Sequence, residues 1–397
     1  MDGPLRGSGM MAVDAGASSA ALRRTIDVAF WVTAAALVSV AALAAASSLT
    51  RASLWEDEAF NLTVPVNLLG GLGYTSDGTL SGSVLTPFDP RISTGPVVLL
   101  PVAAVMALGA DLVIGARLVS LVFFAALLAA LFVASRRVGG RWAGAAAVAV
   151  ALAFDASAPP SPIQGPTDVL GEIPAAALLA WAVIAVRRRR WLAGLLVGLA
   201  VQAKVISLLA VPAFVVGLLV LRSGQRWGAR LRALIVPAAL VIAPTVLVEL
   251  SALLALGAGG YVEHLHMTKT FVLTGGQLGV RTSPGDKLAV LLGAWRLPAP
   301  VAGVIAVAAI AAIVVALVVI RHSPPGLDDL LRRADLAPVS EQRATLLIAA
   351  VGVAAFAGWW LTAGHTPAWV RHPAPGMLAF VPLVAAYAVV ALRVLWS

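Results

Sequence analysis

Three consecutive carboxylates, Glu56, Asp57 and Glu58, stand between Trp55 and Phe60, directly after the first long apolar run. Only 19 of the 397 residues are Asp or Glu, so three together at the edge of a membrane span are poor candidates for solubilising decoration. A carboxylate held there is suited to take the proton of an attacking hydroxyl. Lys204 interrupts a long apolar stretch far along the chain, and Arg371-His372 lies in a proline-containing loop. Arg offers a planar bidentate fork and Lys a point charge, the two usual ways to neutralise a phosphate. A bland reading stands beside this one. Asp57 and its neighbours could pair with Arg51 or Arg91, Lys204 could snorkel to the interface, and Arg371 and His372 could belong to an ordinary loop.

Other polar residues offer weaker signals. Glu172 follows a Pro-rich stretch and either reaches a substrate cavity or caps its helix as an acid in the first turn. Asp89 and Arg91 in Phe88-Asp89-Pro90-Arg91 either shape an acceptor side or form a local ion pair. Asp111 and Arg117 are read as a structural pair near a helix turn. The segment 257–297 carries His264, His266 and Lys269 after a Gly-rich start and reads as an acceptor- or sugar-binding loop, with a disordered linker as the alternative. Its two histidines are two apart, which suits one face of a strand and not of a helix, so a metal site is only weakly indicated.

The elements that must position these residues follow from composition. Hydrophobic residues make up 60% of the chain, charged ones 12%, and mean hydropathy is +0.95, far outside the range of a soluble domain. The chain reads as an all-α polytopic membrane protein. The net charge of +9 comes from arginines clustered in short loops between apolar runs, as in loops retained on the cytoplasmic side, and argues against nucleic acid as a partner. With no cysteine, disulfides, thiolate metal sites and thiol catalysis are excluded.

Residues 1–22 read as a disordered cytoplasmic tail and 23–397 as the transmembrane domain. The apolar run 28–46 is too long for a signal-peptide core and reads as an uncleaved helix. Further apolar segments fall at 96–110, 112–134, 142–156, 169–186, 191–221, 233–256, 298–320, 344–361 and 377–395. The stretch 191–221 reads as two short helices meeting at Lys204. Basic loops at 136–141, 187–190, 222–232 and 321–343, assigned to the cytoplasm, put 47–94, 157–168, 257–297 and 362–376 outside. A hairpin of two full spans over 96–134 would break this pattern, so one of its segments should fail to cross, leaving ten or eleven helices.

The order of motifs carries a resemblance. Trp55-Glu56-Asp57-Glu58-Ala59-Phe60, then G-G-L-G-Y at 70–74, F-D-P-R-I-S-T-G-P at 88–96 and G-A-R-L-V-S at 115–120 resemble the membrane glycosyltransferases that use polyprenyl-phosphate sugars. These form the GT-C superfamily, with protein O-mannosyltransferases and lipid A aminoarabinose transferases. W-L-A-G-L-L-V-G-L-A-V-Q-A-K ending at Lys204 and V-R-H-P-A-P-G at 370–376 are similar to later elements of the same enzymes.

The resemblance implies Asp57 as general base, Glu58 as the neighbour that shapes the site, and Lys204 and Arg371 on the donor phosphate. Glu56, Asp89, Arg91, Glu172, His264, His266, Lys269 and His372 are expected around the substrates. The implied partners are a polyprenyl-phosphate-linked sugar donor, membrane lipid, and a glycan, lipid or protein acceptor in the cell envelope. The implied reaction inverts the anomeric centre on the outer face of the plasma membrane. No cofactor is demanded, and a divalent cation is compatible with the residues. No sizeable soluble segment follows the last helices, so acceptor recognition is expected from the loops. The leading alternative is a transporter or flippase, favoured by Lys204, Glu249 and Pro-interrupted helices but lacking internal repeats. A structural membrane protein would not explain carboxylates opposite cations.

Overall fold

The computed structural model describes residues 9–78, 80–88, 94–153, 165–274, 279–294, scattered positions between 298 and 318, and 336–396. Among the described residues the architecture is all helical apart from loops and one isolated bridge between Ser76 and Thr86. The described helices are α1 (Gly9–Leu49), α2 (Glu56–Leu69), α3 (Pro96–Ala107), α4 (Leu112–Leu152), α5 (Glu172–Ala185), α6 (Arg190–Ala203), α7 (Val211–Val220), α8 (Trp227–Thr274), α9 (Pro284–Ala294), α10 (Val339–Thr362) and α11 (Ala374–Trp396). Four helical segments, Arg23–Leu49, Leu112–Leu152, Trp227–Thr270 and Val339–Thr362, are long and apolar enough to cross a bilayer. Shorter apolar helices fill the bundle between them. The protein is thus the polytopic helical protein that its composition dictates.

Breaks in the apolar runs occur at residues with a local reason. Gly140 at φ 78° interrupts α4, separating the segments expected at 112–134 and 142–156. Gly257 at φ 68° bends α8; both are left-handed conformations that glycine adopts without steric penalty. Lys204, extended at φ −152° and ψ 114°, ends α6 before a short 3₁₀ turn, Val205–Ala210, and α7. The expected break at Lys204 is therefore observed. The tail differs from expectation, because α1 begins at Gly9 rather than after residue 22.

Close helix contacts rest on small residues, as they do in membranes where packing rather than hydrophobicity drives association. On α6, a Cβ at Gly194 or Gly198 would come within 2.3 Å of Pro237 O or 2.6 Å of Val241 O on α8. One turn later Gln202 Nε2 donates to Thr245 Oγ1 at 2.8 Å. Helices α10 and α11 interlock reciprocally: Gly352 faces the ring of Phe380 and Gly376 that of Phe356.

Contacts between elements define two ends of the bundle. At one, Glu58 meets Arg117, Arg51 meets Asp168, Lys204 meets Glu172 and Asp57 meets Arg371. At the other, Arg141 meets Asp27, Arg187 meets Glu341, Ala337 N donates to Arg137 O, and Arg190 lies near Arg222. The described parts of the basic loops thus share the end opposite the clustered carboxylates. Helix α3 resolves the difficulty in 96–134. Gly95, its N-cap, donates to Ala203 O at 3.1 Å, and Asp111, just past its other end, caps the helix whose Arg117 reaches Glu58. Both ends of α3 lie at the carboxylate end, so α3 does not cross.

Candidate active site

Trp55 is extended (φ −74°, ψ 150°), and α2 starts at the next residue, with Glu56, Asp57 and Glu58 in its first turn. Acidic side chains there are stabilised by the free N–H groups of the helix end, by about 0.3–1 kcal/mol each. Successive residues rotate by about 100° around a helix, so Asp57 and Glu58 look in different directions.

Glu58 is fully buried. Its two oxygens accept from Arg117 Nε at 2.8 Å and Nη2 at 2.9 Å, and Oε2 also lies 3.4 Å from Trp55 N. Arg117, equally buried, donates further to Leu49 O at 3.2 Å, Arg51 O at 2.7 Å and Ser53 O at 3.3 Å. It therefore binds the whole linker between α1 and α2. Arg51 extends the network to Asp168 at 2.8 Å, and Ser48 Oγ donates to the same carboxylate at 3.1 Å. Burial pushes the Asp168 carboxyl above its usual range, against the pull of Arg51. This group is a framework, since every charge in it is tied to a loop or helix end.

Asp57 faces the other way and forms an ion pair with Arg371, with 27% of its side chain exposed. The Arg371 guanidinium also lies over the Trp369 ring at 4.6 Å. Next to it, burial holds His372 down to about 3, helped by Lys204, Arg371 and Lys287 and opposed by Asp57. The charges of Lys204, Arg371, Lys287 and Asp57 are thus all felt at one imidazole. Lys204 Nζ is 3.0 Å from Glu172 Oε1, and Glu172 is buried at the start of α5.

Two glycines fix the backbone at Lys204. A Cβ at Gly95 would fall 2.0 Å from Gln202 O, and one at Gly171 would fall 2.2 Å from Ala203 O. Only glycine lets the two neighbouring segments close on the end of α6 from both sides.

Of the residues singled out from sequence, Asp57, Lys204, Glu172, Arg371 and His372 come together here. Glu56 is exposed. Glu58 is the immediate neighbour of Asp57, but it is engaged with Arg117 and not with the Asp57 pocket. The expected Asp111–Arg117 pair is not formed; Asp111 accepts from Val113 N and Ile114 N at 3.0 and 2.9 Å as the N-cap of α4. Asp89 and Arg91 lie outside the described residues.

The expected loop at 257–297 is instead largely helical, comprising the end of α8 and α9. His264 and His266 are therefore about 200° apart on a helix. His264 is buried against Glu249 at 3.2 Å and stacked on Tyr261, while His266 and Lys269 are exposed. Among the described residues no three His, Asp or Glu side chains group so as to hold a metal ion.

Arg51, expected as a possible partner of the carboxylates, does lie 3.6 Å from Glu58, and Arg117 was expected only beside Asp111; Asp168 and Lys287 carried no assigned role from sequence. An arginine five residues into a long apolar helix is itself a signal, since such a charge needs a buried partner. Asp168 and Lys287 stand in segments whose pattern gives no such cue.

A buried framework, a half-open carboxylate and two cations at one end of a helical membrane bundle define the class of protein that the fold presents. The fold is similar to that of ArnT from Cupriavidus metallidurans, in a crystal structure bound to undecaprenyl phosphate and in one of the apo state. Each is 17% identical to this chain over 91% of its length, with a TM-score of 0.57. The chain spans about 60% of the length of those structures. The chain thus shares the helical fold of those structures. No family model matches the sequence, and no curated protein matches it.

Proposed function

We propose that this protein is a membrane glycosyltransferase moving a sugar from a polyprenyl-phosphate donor to a hydroxyl of a cell-envelope acceptor. The site faces the outside of the plasma membrane, as the basic loops at the opposite end argue. The observation that carries the reading is the ion pair of Asp57 with Arg371, with Lys204 near enough for its charge to be felt at the neighbouring His372, on the fold of a protein crystallised with undecaprenyl phosphate.

In this reading each cation is held by a carboxylate in the absence of donor: Arg371 by Asp57 and Lys204 by Glu172. The donor phosphate takes both cations and frees both carboxylates. Asp57 then accepts the proton of the acceptor hydroxyl while the hydroxyl oxygen bonds to the anomeric carbon. The bond from that carbon to the phosphate oxygen breaks, and the electron pair leaves with the polyprenyl phosphate. A single displacement of this kind inverts the anomeric centre. Neutral His372 adds no further positive charge beside Arg371 and can donate one hydrogen bond.

The test uses membranes supplied with radiolabelled polyprenyl-phosphate sugar. Label should enter an envelope glycan or lipid with the wild-type protein and not with Asp57→Asn at equal protein level. Full transfer by Asp57→Asn would remove the proposed base.

A further inference from the structure

Lys287 stands in the first turn of α9 and is fully buried. A buried ammonium needs acceptors in place of water, and this one has three uncharged ones. Its Nζ donates to Trp360 O, to Ala363 O at 2.7 Å and to Thr366 Oγ1 at 3.0 Å. Two of these belong to the C-terminal end of α10, where carbonyls lack helical partners and cations are favoured. Five residues earlier Thr282 binds the same loop: its N–H donates to Gly364 O at 2.8 Å and its Oγ1 to Thr366 O at 2.7 Å. The segment 282–287 is therefore a clip across the start of the loop that runs from α10 to α11.

That loop carries the site's cation. Trp360, whose carbonyl Lys287 holds, donates from Nε1 to Trp369 O at 3.1 Å, and Arg371 lies over the Trp369 ring. Contacts thus run without a gap from Lys287 through Trp360 and Trp369 to Arg371 and then Asp57.

We propose that Lys287 is a positioning residue that fixes the reach of Arg371 toward the donor phosphate without touching substrate. The proposal rests on the reading of Arg371 as a phosphate ligand given above. Removing the clip lets the loop 363–373 wander, so the donor binds more weakly while the chemical step, once the donor is bound, is nearly unchanged.

The experiment compares wild type, Lys287→Met, Lys287→Arg and Thr282→Val in lipid nanodiscs. Hydrogen exchange, affinity for undecaprenyl phosphate, and donor KM and kcat are read for each. Lys287→Met should raise amide exchange in 363–373 at least tenfold with α4 peptides unchanged. It should weaken undecaprenyl phosphate binding and raise donor KM about tenfold, with kcat within about threefold of wild type. Lys287→Arg should recover most of the affinity. Thr282→Val, which keeps the buried cation, should shift exchange and affinity the same way by a smaller factor and carries the test if Lys287→Met fails to fold.

Unchanged exchange and affinity in both Lys287→Met and Thr282→Val would overturn the clip. Faster exchange with unchanged affinity would overturn its role at the phosphate. A wild-type protein that binds no polyprenyl phosphate would overturn the functional reading, and the exchange data would still report separately whether the clip holds the loop.

Discussion

On one side of the first turn of α2, Glu58 is sealed against Arg117 with both oxygens bonded and no exposure. On the other side, one residue away, Asp57 keeps part of its surface open and meets a single arginine carried by a loop 314 residues further along the chain (371 − 57). Two carboxylates of nearly equal intrinsic acidity are thus divided into a buried fastener and a half-open group, the proposed base, by a 100° turn of helix. The fastener side is bonded to α1, its linker and the loop before α5, elements that set the shape of the bundle. The open side is built from helix ends and one clipped loop, whose arrangement can change without disturbing the core.

The largest expected effect breaks the comparison most directly. Asp57→Asn should lower transfer by about 10²–10⁴-fold, the usual worth of a positioned base, while the thermal midpoint stays within a few degrees of wild type. Arg117→Ala should do the reverse in kind. It strands a buried Glu58, a loss of about 3–5 kcal/mol, seen as a clearly lower midpoint in thermal unfolding of the detergent-solubilised protein. Should Arg117→Ala unfold normally and lose only turnover, the division between the two sides would be wrong.

Smaller changes sharpen the open side. Arg371→Lys keeps the charge and removes the fork and the stacking on Trp369. Polyprenyl-phosphate affinity should fall about tenfold, or ~1.4 kcal/mol, in a direct binding titration. Glu172→Gln removes the carboxylate that competes for Lys204. It should tighten the same affinity about three- to tenfold, and weaker binding would show that Glu172 holds Lys204 in place instead of competing for it.

Much of this arrangement was legible in the sequence because membranes restrict what a chain can do. Apolar runs gave the helices, Lys204 gave the break after α6, and grouped arginines gave the sidedness of the loops relative to one another. Asp57 and Arg371 were each singled out, since charges are scarce enough here for each to need a reason, but their pairing was not, because Arg51 and Arg91 stood nearer to Asp57 in sequence. The partner of Glu58 was not legible. Asp111 is the nearest acid to Arg117 in sequence, but its short side chain satisfies the free N–H groups of α4, and Arg117 is left to reach α2. Nor was the helical form of 258–274, where a Gly-rich start reads as loop while Gly257 alone makes the bend. Lys287 was silent because two of its three partners are backbone carbonyls and the third a lone threonine hydroxyl, none of which the sequence pattern announces.

The smallest effect concerns His372, the neutral member among the charges on the open side. Its folded pKa of about 3 lies below the ordinary 6.5, so between those values the unfolded chain takes up a proton that the folded site refuses. Stability from this residue is therefore complete above about pH 6.5 and is lost as pH falls toward 3, by at most about 1.4 kcal/mol per pH unit. His372→Asn should flatten the fall of thermal midpoint between pH 6.5 and 4.5 while leaving the midpoint at pH 8 little changed. The same shift removes His372 from the pH profile of transfer near neutrality, so wild type and variant should share any inflection there. If the variant instead loses an inflection near pH 6.5, the imidazole titrates in the working protein. The crowd of Lys204, Arg371 and Lys287 around it would then have to be looser than the buried arrangement described above.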